Sequence, residues 1–420
     1  MNSSNGHGHG GSGTAATHDS DVLVLGGGLM GTTAAFFLRQ HGRSVTLLER
    51  ELVGRQASGT NFGNVRRQGR ELHQIPLGNR ARAVWGRIHS LLGEDAEFVP
   101  YGHLRVCYTE QQAAVIEKHA HDVKPLGLDL QLLTAEQLRQ RWGIFSPSVV
   151  AGSYSPDDGH ANPRLAGPAF ARAARRAGAH IVEHAEVMQV ERDGNGFVAH
   201  TADGRRYRAP QMLVACGAWS NRMAEQFGEA VPMEARGPQM GVTEPLPYAL
   251  GPSIGLSSPI ETEGLYFRQI ARGNIVFGGG LKGTAHADQI RAYVKPDNIL
   301  RQMRELRRFV PAFGNVQLIR VWSGIEGYTP DWQPVMGPSA KVEGLHYAFG
   351  FNGEGFAISP GVGETMAELI ATGHTSIPLA PYFIGRFAVA KAAPAFQKAA
   401  EAPAAPAFPA VARAAAHAAP

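Results

Sequence analysis

A chain of 420 residues with 44% hydrophobic and 18% charged residues exceeds one compact core, so two domains are expected and a mainly disordered chain is excluded. The formal net charge is only +4, and Lys and Arg alternate with acids, which argues against nucleic-acid binding. Two cysteines, Cys107 and Cys216, lack any paired spacing, so a disulfide framework, a zinc ribbon and a self-contained iron–sulfur cluster are excluded and a reducing, cytoplasmic compartment is expected.

Residues 1–19 have no basic start followed by an apolar stretch and read as a flexible lead; His7 and His9 lie among Gly and Ser and belong to that lead, not to a metal site. VLVL (Val22–Leu25) reads as a buried strand, LMGTTAAFFLRQHG as a helix stopped at Gly42, and SVTLLE (Ser44–Glu49) as a second buried strand. The turn between the first strand and the helix is Gly26-x-Gly28-x-x-Gly31, with Leu29 and Met30 between the glycines and Glu49, followed by Arg50, about 20 residues on. In that context each residue has a physical task. Gly26 permits the tight turn, Gly28 the approach of a pyrophosphate, Gly31 the close packing of helix on strand, and Glu49 accepts from ribose hydroxyls. The motif alone does not separate NAD from FAD, because both contain ADP.

Further along, Thr134 and Gln137 have capping-box spacing, NPRLAGPAFARAARRAGAH reads as a helix, IVEHAEVMQVER as one strand and QMLVACGAWS as another. From about Val231 to Val321 the texture becomes alternating and punctuated by Gly and Pro, as in GLYFRQIARGNIVFGGGLKG, which predicts antiparallel hairpins. Strand, Gly-rich turn and apolar helix then return in LHYAFGFNGEGFAISPGVGETMAELIATG. No apolar run approaches the ~20 residues of a membrane span. The expected fold is α/β plus α+β: a discontinuous Rossmann-like dinucleotide domain over 20–95, 151–230 and 322–378, an antiparallel-sheet substrate domain over 96–150 and 231–321, and an Ala/Pro-rich disordered tail over 388–420.

Several separated segments make the chain resemble the FAD-dependent amino acid oxidase and dehydrogenase superfamily that includes glycine oxidase, sarcosine oxidase and D-amino-acid oxidase. They are ASGTNFGNVRR (Ala57–Arg67), GHANPRL with HAEVMQV, LVACGAWS, and GIEGYTPDWQPVMGP with AFGFNGEGFAISPG. The resemblance spans roughly Asp21 to Gly373 and implies FAD. It further implies that Ser58, Asn61, Gly63 and Asn64 cover the flavin and ribityl chain, and that Val187 meets the adenine edge. Ala215 and Gly217 would approach the ADP, while Gly350, Asn352, Gly353, Gly355 and Phe356 would form a second turn on the flavin side. Relatives that hold FAD covalently use a Cys where this chain has Gly324 or a His near Asn61, so noncovalent FAD is expected. Cys216 reads as a packing residue.

The resemblance implies oxidation of the C–N bond of an amino acid or secondary amine to an imine, with hydride transfer to flavin and oxygen as acceptor. A flavin subunit of a heteromeric amino acid or opine dehydrogenase, passing electrons to a partner, is the alternative, and a non-enzymatic flavin-binding interaction protein a second; an oligomer is compatible with either. Arg66 falls where sarcosine-oxidase-like enzymes carry an active-site Arg, with Arg67 and Arg70 as rivals and Gly69 out of register. Arg268, beside Tyr266 on a hairpin strand, is another candidate carboxylate clamp. Glu326 could recognise a substrate cation, His286 and Asn352 lie in segments expected near the cavity, and Lys282 resembles the lysine that promotes reaction with oxygen. His160 and Asp331 read as structural.

Overall fold

The computed structural model describes residues 17–388. Residues 1–16, with His7 and His9, and the tail from 389 onward lie outside the described residues. Thr17–Asp19, expected in the flexible lead, instead forms a strand parallel to Arg206–Ala209, because Asp19 accepts from Arg208 Nε at 2.7 Å.

Six strands build the first large sheet, in the order Val335–Pro338, Leu345–Phe349, Gln211–Val214, Val22–Leu25, Val45–Leu48 and His180–Val182. All neighbours are parallel except the first pair. Such strands are covered on both faces, which is why VLVL and LHYAF are buried throughout. Helices Leu29–Gln40, Ile75–Gly86, Pro163–Arg176 and Gly355–Thr372 share one hydrophobic core with one face. The other face packs under a four-stranded sheet that contains Val187–Asp193, Gly196–Thr201 and Arg206–Ala209.

The stretch IVEHAEVMQVER, expected as one strand, is two. His180–Val182 ends the six-stranded sheet and Val187–Asp193 belongs to the smaller one. Between them His184 takes a left-handed backbone at φ 55°, and the amides of His184 and Ala185 donate to the carbonyls of Glu51 and Glu49 at 3.0 and 2.8 Å. The chain turns there because those carbonyls, at the end of Val45–Leu48, need donors.

The second large sheet has eight strands, in the order Leu318–Ser323, Gln239–Pro245, Asn274–Gly278, Tyr266–Gln269, Ser253–Leu256, His103–Cys107, Ala151–Ser155 and Gln131–Thr134. Tyr266–Gln269 and Asn274–Gly278 pair antiparallel as a hairpin. Thr134 and Gln137 form both halves of the capping box. Ala151–Ser155 pairs with His103–Cys107 and lies in this sheet, although the expected division gives residue 151 to the dinucleotide unit; its neighbours in space, not in sequence, decide its membership. Among the described residues no helix is long and apolar enough to cross a membrane.

Trp85 joins helix packing to the site. It is fully buried, its indole donates to the Ala357 carbonyl at 2.8 Å, and its ring lies 5.3 Å from that of Phe356, both residues being in the first turn of Gly355–Thr372. Trp85→Ala is expected to lower unfolding free energy by about 3–5 kcal/mol, the range for emptying a buried aromatic site. Urea unfolding of the variant checks this, and a loss under about 1 kcal/mol would show that the helix start is held otherwise.

Candidate active site

A cavity of about 550 Å³ runs from the Gly26–Gly31 turn to the wall formed by Tyr266, Lys282 and Glu326. Its first end lies beyond the carboxyl ends of the parallel strands Val22–Leu25 and Val45–Leu48, where open α/β sheets take their ligands.

Sterics explain the glycines there. Gly26 has φ 102°, and a Cβ on it would lie 2.5 Å from the Ala215 carbonyl oxygen; a Cβ on Gly31 would lie 1.9 Å from the Gly26 carbonyl oxygen. Gly31 itself does not line the cavity; it fixes how closely helix and strand approach. At Gly28 the nearest atom to a Cβ is Ser58 Oγ, at 3.1 Å. Ser58 Oγ also accepts from the Leu29 amide at 2.8 Å, so the serine supports the helix start. No side chain of its N-cap residue caps that helix or Gly355–Thr372. Both helices therefore begin at the cavity with first-turn amides free of intrahelical partners and a partial positive charge suited to anions.

Glu49 accepts from the Gly27 amide at 2.6 Å and the Glu51 amide at 2.8 Å, and burial pushes its carboxyl above the usual range. Arg50 lies over the Trp219 ring at 4.5 Å, and its buried Nε has no hydrogen-bond partner. Leu29, Met30, Val187, Ala215 and Gly217 line the same end, with a bulge in the pairing beside Val187 and open space at Gly217.

The segment after the strand Val45–Leu48 is shaped from within. Asn61 Nδ2 donates to the carbonyls of Ala57 and Ser58, both at 2.9 Å, and its Oδ1 accepts from the Gly63 amide at 2.7 Å. Asn61 thus makes the loop, and faces the cavity while doing so. Gly63 has φ 85° and no room for a Cβ, which would lie 2.2 Å from the Ala161 carbonyl oxygen. Asn64 accepts from the Ser253 hydroxyl at 3.2 Å. In the second turn Asn352 likewise spends its amide on structure, donating to the Gly350 carbonyl at 2.8 Å and accepting from the Thr329 amide at 2.8 Å. Gly350, Gly353, Gly355 and Phe356 line the cavity beside it.

At the far wall Arg66 Nη2 donates to Glu354 Oε1 at 2.5 Å and Nη1 to the Gln68 carbonyl at 2.6 Å. Arg70 is buried and donates to the Glu354 carbonyl at 3.0 Å; burial lowers its guanidinium to about 10. Burial works against the charge on Glu354, yet Arg66, Arg70 and Arg105 hold its carboxyl below the usual range. Lys282 Nζ donates to Glu261 Oε1 at 3.0 Å and lies 5.7 Å from the Trp332 ring centroid. Tyr266 faces the cavity and packs on Phe62 at 4.7 Å between ring centroids. Glu326 accepts from the Tyr328 hydroxyl at 3.0 Å, and burial pushes its carboxyl up to about 7.

Other expected candidates stand elsewhere. Arg268 does not line the cavity: its Nε donates to the Phe62 carbonyl at 3.0 Å and its guanidinium lies over the Phe62 ring. It shares a strand face with Tyr266, one step deeper, under the loop. His286 packs on Tyr293 at 5.7 Å between ring centroids, off the cavity, because the strand Gly283–His286 carries it past Lys282. Arg67 turns to Asp158, with Nε to Oδ1 at 2.9 Å. Asp331 holds Arg386 at 2.7 Å, and His160 is buried in the pair with Asn64. Sequence reasoning missed Glu354, Trp219, Tyr328 and Trp332. Glu354 carried a readable signal, an acid set between the glycines of GFNGEGF.

The chain belongs to the FAD dependent oxidoreductase family, whose sequence model matches residues 21–369. Glycine oxidase of Geobacillus kaustophilus is 25% identical over 379 residues, 88% of this chain and 98% of that protein. Sarcosine oxidase subunit beta of an Arthrobacter species is 25% identical over 375 residues, 87% of this chain and 91% of that one. The crystal structure of L-proline dehydrogenase from P. horikoshii matches with a TM-score of 0.83 and 26% identity, covering 89% of this chain and 99% of that one. The protein is an FAD-dependent oxidoreductase, and the residues present fit the cofactor. The turn and both helix starts would offer amides to the pyrophosphate, Glu49 and Arg50, whose Nε has no partner, would lie at the ADP end, and the second glycine turn would lie at the flavin end.

Gly28→Val is expected to leave the protein folded but colourless, since the added side chain reaches Ser58 and the cavity, whereas Gly31→Val destabilises the fold itself by forcing helix from strand. Flavin absorbance and thermal melting of the two variants separate these effects; a yellow Gly28→Val protein would remove the pyrophosphate from this turn.

Proposed function

We propose that the enzyme oxidises the C–N bond of an amino acid or a carboxylate-bearing secondary amine to an imine, with FAD held noncovalently and oxygen as electron acceptor. The observation that carries the reading is the charge at the far wall: cations at Arg66 and Lys282 and an acid at Glu326 face one cavity with Tyr266, Tyr328 and Trp332. A zwitterion presents the complementary pair. The amine-oxidising relatives, glycine oxidase and sarcosine oxidase subunit beta, support the same substrate class.

When bound, FAD supplies the hydride acceptor. The chain's own residues do the rest. Arg66 exchanges its contact with Glu354 for the substrate carboxylate, Tyr266 and Trp332 wall the substrate against water, and Lys282 holds positive charge where oxygen is reduced. With Gly324 in place of a cysteine and no histidine beside Asn61, nothing there anchors the cofactor covalently. Free thiols at Cys107 and Cys216 suit the cytoplasm. A flavin subunit handing electrons to a partner chain is the second reading, favoured by the likeness to sarcosine oxidase subunit beta and to L-proline dehydrogenase.

Anaerobic flavin bleaching against D- and L-amino acids, N-methyl amino acids and opines tests the substrate class; a flavin that none of them reduces would end it. Arg66→Ala should weaken the half-saturating concentration of the bleaching substrate by about 2–3 kcal/mol, the scale of one charge-assisted contact, with flavin content intact. Lys282→Met should slow re-oxidation of prereduced enzyme by oxygen about a hundredfold while anaerobic reduction changes little. If the unmodified enzyme re-oxidises no faster than free reduced flavin, electrons leave to a partner instead.

A further inference from the structure

The far wall carries three acids, and two of them are already spent. Glu261 is paired with Lys282, and Glu354 with Arg66 and Arg70. Glu326 has no cation within ion-pairing distance among the described residues. Among the described residues the one hydrogen bond to its carboxylate comes from the Tyr328 hydroxyl to Oε2, at 3.0 Å. That same oxygen lies 3.3 Å from where a Cβ on Gly353 would stand, so the carboxylate abuts the second glycine turn at the junction of the flavin end and the far wall. The charged and titratable groups around it are Tyr328 on its own strand, Lys282 on the neighbouring segment, Glu354 in the glycine turn, Tyr266 acting from the eight-stranded sheet, and Arg236, which stands opposite Glu326 on the paired strand, lies over the Tyr328 ring at 5.4 Å and is ion-paired with Glu234.

Resting on the amine-oxidation reading, we infer that Glu326 receives the substrate's protonated amino group and takes one proton from it, while the Tyr328 hydroxyl holds the carboxylate in place. An ammonium nitrogen has no electron pair with which to form C=N. In the proposed step one N–H bond breaks and its electron pair stays on nitrogen. An O–H bond forms on Glu326, the carboxylate becomes a carboxylic acid and the ammonium a neutral amine, with no electron leaving either partner. The freed pair then forms the C=N bond as the adjacent C–H bond breaks, its hydrogen leaving with both electrons as the hydride that bound FAD would accept, and Glu326 returns its proton to solvent after product leaves. Burial equips the group for this: a carboxyl raised to about 7 is a better base than an exposed glutamate and still ionised in mildly alkaline solution. Tyr328 favours the charged form, so removing its hydroxyl raises that value further.

The test is the anaerobic rate of flavin reduction as a function of pH, using the amine found by bleaching, for the native holoenzyme, Glu326→Gln and Tyr328→Phe. In the native enzyme the rate should rise with pH along a limb centred near 7. Glu326→Gln, which keeps the size of the side chain and its contact with Tyr328, should retain flavin, lose that limb and fall about a hundredfold at pH above the limb. Tyr328→Phe should keep the limb and move it to higher pH. Infrared difference spectra of the holoenzyme across the same range give a readout that needs no turnover: a protonated-carboxyl band should grow as pH falls and be missing in Glu326→Gln. A native enzyme without the limb, a Glu326→Gln enzyme that keeps it with a rate within about threefold of native, or an unchanged infrared titration in that variant overturns the proposal. Bleaching by no amine at all overturns the substrate reading instead, and is told apart by the absence of reduction in the native enzyme.

Discussion

A side chain at residue 31 would put its Cβ 1.9 Å from the Gly26 carbonyl oxygen, and the rest of the site depends on that closeness. It brings the start of Leu29–Gln40 down onto the end of Val22–Leu25, so the first-turn amides open into the cavity and not over the core. The strand beside it, Val45–Leu48, then delivers Glu49 onto the Gly27 amide, and the turn closes on itself. Gly355–Thr372 reaches the same cavity because it packs along Leu29–Gln40, where a Cβ on Gly363 would meet Thr33 Oγ1 at 2.2 Å. Two glycine contacts, Gly31 on the Gly26 backbone and Gly363 on Thr33, thus set the position of two helix starts.

The far wall is assembled differently, by charge. Arg66 and Arg70 come from the segment after the first glycine turn and Glu354 from the second, nearly three hundred residues later, and their ion pairs bind the two segments across the cavity. Arg268 supports the loop from below through the Phe62 carbonyl, so the eight-stranded sheet holds a piece of the dinucleotide side. The site is therefore built where the two large sheets meet, with neither contributing all of it.

What was legible in the sequence was what neighbours in sequence determine. The turn from Gly26 to Gly31, the hairpin of Tyr266–Gln269 with Asn274–Gly278 and the capping box at Thr134 are each specified within about 20 residues, and each is present in the structure. Arg268 shows where that reasoning runs out. Strand periodicity correctly gives it the same face as Tyr266, but only the three-dimensional position of Phe62 decides that one faces the cavity and the other lies under a loop. The single strand read across IVEHAEVMQVER fails for a related reason: its β-forming residues run on without a break, while the turn at His184 is imposed by carbonyls some 130 residues earlier. Glu354 was passed over because an acid among turn glycines looks solvated until the arginines that hold it are brought alongside.

The pairing of charges at the far wall bears on how the enzyme finds its substrate. Arg66, Arg70 and Lys282 face Glu261, Glu326 and Glu354, so with all of them ionised the formal charge of the wall sums to zero. Opposed charges a few ångströms apart produce a field that dies away quickly with distance, and a Debye layer of roughly 8 Å at physiological ionic strength erases most of what is left. Such a mouth does not draw ions in from solution. Capture rests on random collision, discrimination begins only at contact, and the rate of encounter is insensitive to salt.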